Sequence, residues 1–252
     1  MNEEAQIPTG YIPPEGLLRE RVVLVTGAGQ GLGRAVAMQA AQCGATVALL
    51  GRKQTKLEST YDAIATAGGA QPALIPMDLS AAGNAEYESL AQLLRKDLGR
   101  LDAVVHCAAH FVPLGPLAGQ SLDQWNALLK VNLTAPFALT RACLPLLAAA
   151  PDPSVVFVGE THGAQPLAYW GGFAVSKSAL STLAAVWAQE LELKGKPRMN
   201  VFVPGPIASP QRMLSHPGED RARLRAPGDA ARALIYLLDP GGARFSGRTV
   251  TL

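Results

Sequence analysis

TGAGQGLGRA, residues 26–35, follows the valine-rich run VVLV (22–25) and opens the helical pattern RAVAMQAAQ (34–42). A glycine cluster alone marks only a turn. Placed between a strand and a helix, it marks a site for a nucleotide phosphate. Gly27 permits the tight turn, Gly31 lets backbone approach a pyrophosphate, and Gly33 allows the helix to pack closely. The amides and dipole of the helix N-terminus favour the negative charge.

Outward from this stretch the chain alternates strand and helix. Gly44 closes the first helix, and TVALL (46–50) returns as strand. A helix over 55–67 stops at Gly68-Gly69, and PALIPMD (72–78) carries a third strand. A helix around 84–98, strand DAVVH (102–106), a helical stretch from Leu122 to Ala149 and strand SVVFV (154–158) follow. The next helix lines up Leu180, Leu183, Ala184, Trp187 and Leu191; MNVFV (199–203), a helix over 229–238 and TVTL (249–252) complete the series. Apolar strands without alternation, separated by helices, predict an α/β fold with a doubly wound parallel sheet covered on both faces. Residues 1–16, with Pro8, Pro13 and Pro14, read as a loose arm before a single domain over 17–252. The polar, Pro/Gly-broken stretch 209–228 reads equally as a lid or a surface excursion.

Composition narrows the function classes. The 252 residues are 48% hydrophobic and 17% charged, enough for one substantial core. A net charge of +2 without a basic run gives no footprint for nucleic acid. No apolar stretch approaches the roughly 20 residues of a membrane span. The start, MNEEAQIPTGYIPPEG, is acidic and Pro/Gly-rich, unlike a signal peptide. Cys43, Cys107 and Cys143 have no metal-ligand spacing, and Cys43 and Cys143 fall in apolar helical patterns that suit reduced packing cysteines, so no metal is expected and the localisation expected is cytoplasmic.

The glycine pattern TGxxxGxG at 26–33, the asparagine of KVNLTAPF (130–137), the lysine of the SK pair at 176–177 and VPGPIAS (203–209) occur in one order. In that order and spacing the chain resembles the short-chain dehydrogenase/reductase family over about residues 20–252. The resemblance implies a Rossmann-type sheet of seven strands in the order 3-2-1-4-5-6-7. It implies that Asp78 meets an adenine, that Asn132 holds a water at a helix irregularity, and that Lys177 binds the nicotinamide ribose. Pro204, Gly205, Ile207 and Ser209 would flank the nicotinamide. Gly27, Gln30, Gly31, Leu32 and Gly33 of the loop, with Leu79 and Ala108, complete the implied cofactor set. It also implies a homodimer or homotetramer pairing the helices Leu122–Ala149 and Gly171–Leu193, and a dimer is the expectation.

After the second strand an NAD site carries an acid for the ribose hydroxyls. Here the strand ends in Gly51-Arg52-Lys53. A guanidinium at Arg52 matches the oxygens of a 2′-phosphate, so NADP(H) is expected over NAD(H).

The sequence departs from the family where a reacting carbonyl would be touched. Counting back from Lys177 places Phe173 where the family has its tyrosine and Glu160 where it has its serine. HCAA replaces NNAG after the fourth strand, with Cys107 for an asparagine and Ala109 for the glycine. Phenylalanine has no proton to donate, and an ionised Glu160 accepts only. A positioned acid contributes typically ~10²–10⁴-fold. An ion pair between Glu160 and Lys177 is the expected arrangement. Substitute acids are Glu160 itself if protonated, Tyr169, His162 and His110. Tyr169 stands one position from Trp170, seven before the lysine, where divergent enoyl reductases of this family carry their tyrosine; one position is about 100° around a helix.

Two function classes follow. One is an NADP(H)-dependent oxidoreductase acting on a small carbonyl, alcohol or activated alkene, with weak ordinary carbonyl reduction. The other is a catalytically silent NADP(H)-binding sensor or partner subunit.

Overall fold

The computed structural model describes residues 6–192 and 196–252. Seven strands form one parallel sheet: β1 (Val22–Thr26), β2 (Thr46–Gly51), β3 (Ala73–Pro76), β4 (Ala103–His106), β5 (Ser154–Val158), β6 (Arg198–Val203) and β7 (Arg248–Thr251). Their order is β3-β2-β1-β4-β5-β6-β7, as the resemblance implied. The chain winds outward in both directions from β1, so a crevice opens between the β1 and β4 ends.

Alternation along β1 assigns the two faces. Val23 and Val25 face a core shared with α1 (Gly31–Gln42), α2 (Gln54–Thr66) and α9 (Pro227–Ile235). Val22 and Leu24 face a core shared with α3 (Asn84–Leu98), α5 (Ala135–Ala149) and α7 (Gly171–Glu190). The stripe Leu180, Ala184 and Trp187 of α7 is buried in this second core, with Leu183 and Leu191 against it. That stripe is therefore used by the chain's own sheet. The family-implied partner helix ends at Leu193, which lies outside the described residues.

The segment Leu122–Ala149 corrects one expectation. It is a 28-residue helical run with a window of mean hydropathy 1.3, long and apolar enough by composition to cross a membrane. Its apolarity has a place in the fold, because Leu139, Cys143, Leu146 and Leu147 pack into the second core. The run is also interrupted: α4 (Leu122–Leu129) meets α5 through a wide π turn over Lys130–Thr134.

The end of the strands away from the crevice is fastened by charge. Asp102, 2% exposed, accepts from the Val22 N–H at 2.8 Å and from the Arg100 fork at 2.6 and 2.8 Å. Buried Arg198 donates to Asp152 at 3.2 and 3.3 Å and to the Leu237 carbonyl at 3.0 Å. Of the N-terminal stretch, residues 6–16 are described, and Tyr11 fastens them: its hydroxyl donates to Asp239 at 2.5 Å and its ring meets Tyr236 edge-on.

Candidate active site

A cavity of about 570 Å³ runs along the crevice, within the range of small-molecule sites. It extends from Arg52 and Lys53 beyond β2 to Glu160 beyond β5. Those strands are three positions apart, or ~14 Å at the usual strand spacing. All the residues assigned to a cofactor from the sequence line this one cavity, from Gly27 to Ser209.

At its centre the turn after β1 is tight. Gly27 has φ +67°, and a Cβ there would come 2.9 Å from the Ala108 Cα. A Cβ on Gly33 would come 2.3 Å from the Gly27 carbonyl oxygen. Ala108 is tied to the loop by its N–H, which donates to Thr26 Oγ1 at 3.0 Å. The N-terminus of α1 has neither a side-chain cap nor an acid in its first turn. Its free amides therefore face the cavity as donors for an anion.

At the β2 end, Arg52 and Lys53 are joined by Lys56, which sits one turn into α2 and donates to the Gln30 amide oxygen. The sequence reading passed over Lys56; its spacing of four from Arg52 was the available signal. Asp78 accepts from the Ser80 hydroxyl at 2.6 Å and the Ser80 N–H at 2.9 Å. These bonds, and then the charge of Arg52, hold its carboxyl below the usual range.

The β5 end carries the departures. Glu160 and Lys177 line the cavity, but Phe173, Tyr169, His162 and Asn132 do not. Phe173 is 1% exposed and points into an apolar cluster with Leu128, Trp170 and Phe111. It shares a helix face with Lys177, whose Nζ is 5.9 Å from its ring centroid. Lys177 donates to the Val158 carbonyl at 2.8 Å. Burial depresses its pKa to about 8 against the opposing charge of Glu160.

The expected ion pair is absent. Among the described residues no contact within 4.0 Å joins Glu160 and Lys177. Glu160 instead caps the short α6 (Thr161–Ala164), accepting from the Thr161 N–H at 3.1 Å. That bond occupies one carboxylate oxygen, Oε1, while Lys177 is held by the strand. Tyr169 also departs from the reading that placed it on the helix. It has φ +75°, is 62% exposed and precedes the start of α7, so the 100° offset does not apply to it. The His162 ring packs 4.2 Å from the ring of Trp170. His110 lines the cavity, but its backbone is locked: its N–H donates to Asn132 Oδ1 at 2.7 Å and its carbonyl accepts from Asn132 Nδ2 at 3.0 Å.

Asn132 lies within the π turn, fully buried, and also donates to Ser176 Oγ at 3.0 Å. It thereby links the turn, the β4 loop and α7. Burial raises the Cys107 thiol to about 12, so it enters the cavity as a neutral group. Among the described residues that line the cavity there is no tyrosine.

The stretch 209–225 closes one side. Its ends are held by the bridge between Ile207 and Arg225, and Ser209 caps α8 (Pro210–Ser215). Arg212 of α8 lines the cavity and forks onto Glu219 at 2.5 and 2.6 Å. The polar, broken sequence gave no sign of this inward arginine.

Residues 21–220 match the profile of the short chain dehydrogenase family. The chain is 36% identical over 239 residues to an uncharacterized oxidoreductase, YciK, of Escherichia coli (strain K12), covering 95% of this chain and 94% of that protein. The solved structure of the E. coli oxidoreductase yciK superposes with a TM-score of 0.93 at 35% identity, over 96% of this chain and 99% of that one. Two further structures have TM-scores of 0.91, each covering 94% of this chain and 99% of its own. One is a short chain dehydrogenase of Shigella flexneri complexed with NADP, 34% identical. The other is a short chain dehydrogenase of E. coli CFT073 complexed with NADPH, 35% identical.

Proposed function

The chain belongs to the short-chain dehydrogenase family, and we propose that it is an NADP(H)-dependent oxidoreductase whose reduction of ordinary ketones and aldehydes is weak. The single observation that carries this is one cavity with a complete cofactor half and an altered reacting half. The relatives solved with NADP and NADPH support the cofactor. When bound, a nicotinamide cofactor supplies or accepts a hydride.

The residues fit such a group. The uncapped α1 amides and the close turn at Gly27 suit a pyrophosphate, and Arg52 with Lys53 suits the 2′-phosphate. Lys177 holds two further N–H donors for a ribose while anchored on Val158. Asn132 positions the His110 loop and α7. Pro204, Gly205, Ile207 and Ser209 wall the far side of the cavity and exclude water there.

A reacting carbonyl would find no phenol and no serine hydroxyl from α7 and β5. It would face a carboxylate, which repels negative charge developing on oxygen. Small carbonyls, alcohols and activated alkenes remain the substrate classes proposed. The test compares NADPH and NADH binding by titration, then NADPH oxidation against a panel of carbonyls and activated alkenes. NADPH binding with no turnover on the panel would favour a cofactor-sensing role.

A homodimer is proposed on the exposed faces of α5 and α7. Phe137, Val175 and Val186 are 39%, 45% and 47% exposed there, on the side of these helices away from the sheet.

A further inference from the structure

The two replacements at the β5 end make chemical sense together if the substrate carries a positive charge at the reacting bond. Glu160 is a carboxylate in the cavity wall with one short-range partner, the Thr161 N–H on Oε1. Two cations, Lys177 and Arg212, feel the charge of Glu160 but make their hydrogen bonds to other groups. Lys177 is anchored on the Val158 carbonyl, and Arg212 is neutralised by the Glu219 fork. Trp170 adds an aromatic wall, 4% exposed, held by the rings of His162 at 4.2 Å and His216 at 6.0 Å. A carboxylate and an indole lining one cavity are groups that receive organic cations. No phenol lines the cavity, and the Phe173 ring lies in the apolar cluster beside it.

We propose that this site reduces an iminium, a C=N⁺ bond, with Glu160 as the counter-charge; this rests on the nicotinamide-dependent reading above. In that reaction the substrate carbon gains a hydride from a reduced nicotinamide. The π pair of the C=N⁺ bond moves onto nitrogen, a neutral amine results, and the nicotinamide is left oxidised. No proton is taken up, so no acid is required where Phe173 stands. A ketone in the same place needs a proton and builds negative charge beside Glu160. An iminium starts positive there and loses that charge as it reacts. Glu160 binds the cation, and its attraction for the bound molecule falls as the C=N⁺ charge is discharged.

The test uses permanent cations, so that protonation of the substrate is not a variable. NADPH oxidation is followed with N-methyl-1-pyrrolinium and N-methyl-3,4-dihydroisoquinolinium, against cyclopentanone and 1-tetralone as neutral counterparts. The iminium of either pair should react at least about 100-fold better in kcat/KM. A second readout needs no turnover: calorimetric binding of N,N-dimethyl-1,2,3,4-tetrahydroisoquinolinium to the NADP⁺-saturated protein. In Glu160→Gln both the iminium kcat/KM and this affinity should fall about tenfold or more, the range of a lost charge-assisted contact. NADPH fluorescence titration of the same variant verifies that it is folded and loaded. Preference for the ketones, no iminium reduction by NADPH-bound wild type, or an ammonium affinity unchanged by Glu160→Gln overturns the inference alone. Failure of wild type to bind NADPH overturns both this and the reading beneath it.

Discussion

Replacing Lys177 with methionine separates what the lysine does for the site from what it does to the fold. Its ammonium is buried, and desolvation depresses its pKa from 10.5 to about 8. A lysine whose folded pKa lies below its unfolded value binds fewer protons folded than unfolded between those two values. Stability therefore rises with pH across that window. The burden is complete below pH 8 and is gone by about 10.5. A difference of 2.5 between those values corresponds to ~3 kcal/mol. Methionine removes that burden but leaves the Val158 carbonyl without its 2.8 Å donor, a loss of about 1 kcal/mol. Lys177→Met should thus be more stable than wild type by ~2 kcal/mol at pH 7. The gap should shrink as pH rises above 8, close near pH 10, where the remaining burden equals the ~1 kcal/mol hydrogen bond, and reverse slightly beyond that. Urea melts of both proteins at half-unit steps from pH 6.5 to 10.5 measure this directly. Groups that titrate alike in both proteins cancel from the difference. A variant less stable than wild type at pH 7, or a gap independent of pH, would refute the reasoning.

Arg52→Ala should weaken NADPH by about 1.5–3 kcal/mol and NADH little, because only the 2′-phosphate contact is lost; equal losses for both in titration calorimetry would remove Arg52 from that role. Phe173→Tyr alone should restore little ketone reduction, since Glu160 still faces the substrate and repels negative charge developing on its oxygen. Glu160→Ser with Phe173→Tyr should exceed the combined singles, since groups acting as a unit are not additive; kcat/KM on a carbonyl panel for all four proteins decides it. Light scattering at micromolar concentration should give a dimer, and a monodisperse monomer would refute the interface on Phe137, Val175 and Val186.

The strands were legible because runs such as VVLV and SVVFV are buried on both faces, and that leaves no alternation to misread. The cofactor half was legible for a related reason: backbone geometry at Gly27 and Gly33 tolerates no side chain, so residue type reports shape directly. The reacting half was less so. Counting from Lys177 located Glu160 and Phe173, yet spacing cannot say where a side chain turns. Phe173 went to its apolar neighbours, and Glu160 to the amide of Thr161 rather than to the lysine. Tyr169 was misplaced because a helical offset was applied to it although the helix begins at Gly171, and the backbone reverses at φ +75° just ahead of that start. The apolar length of Leu122–Ala149 was underestimated because Asp123, Lys130 and Arg141 interrupt the apolar run in sequence, while the helix as a whole keeps a high mean hydropathy.

The charged fastening of the sheet, Asp102 with Val22 and Arg198 with Asp152, lies at the opposite end of the strands from Glu160 and Lys177. A strand of five residues sets the two ends ~16 Å apart. Substitutions at that separation change stability almost independently. The molecule thus has one end that keeps it folded and another that is free to vary its chemistry. A change at the crevice therefore adds its own stability cost or gain to the total and leaves the charged fastening at the other end of the strands as it was.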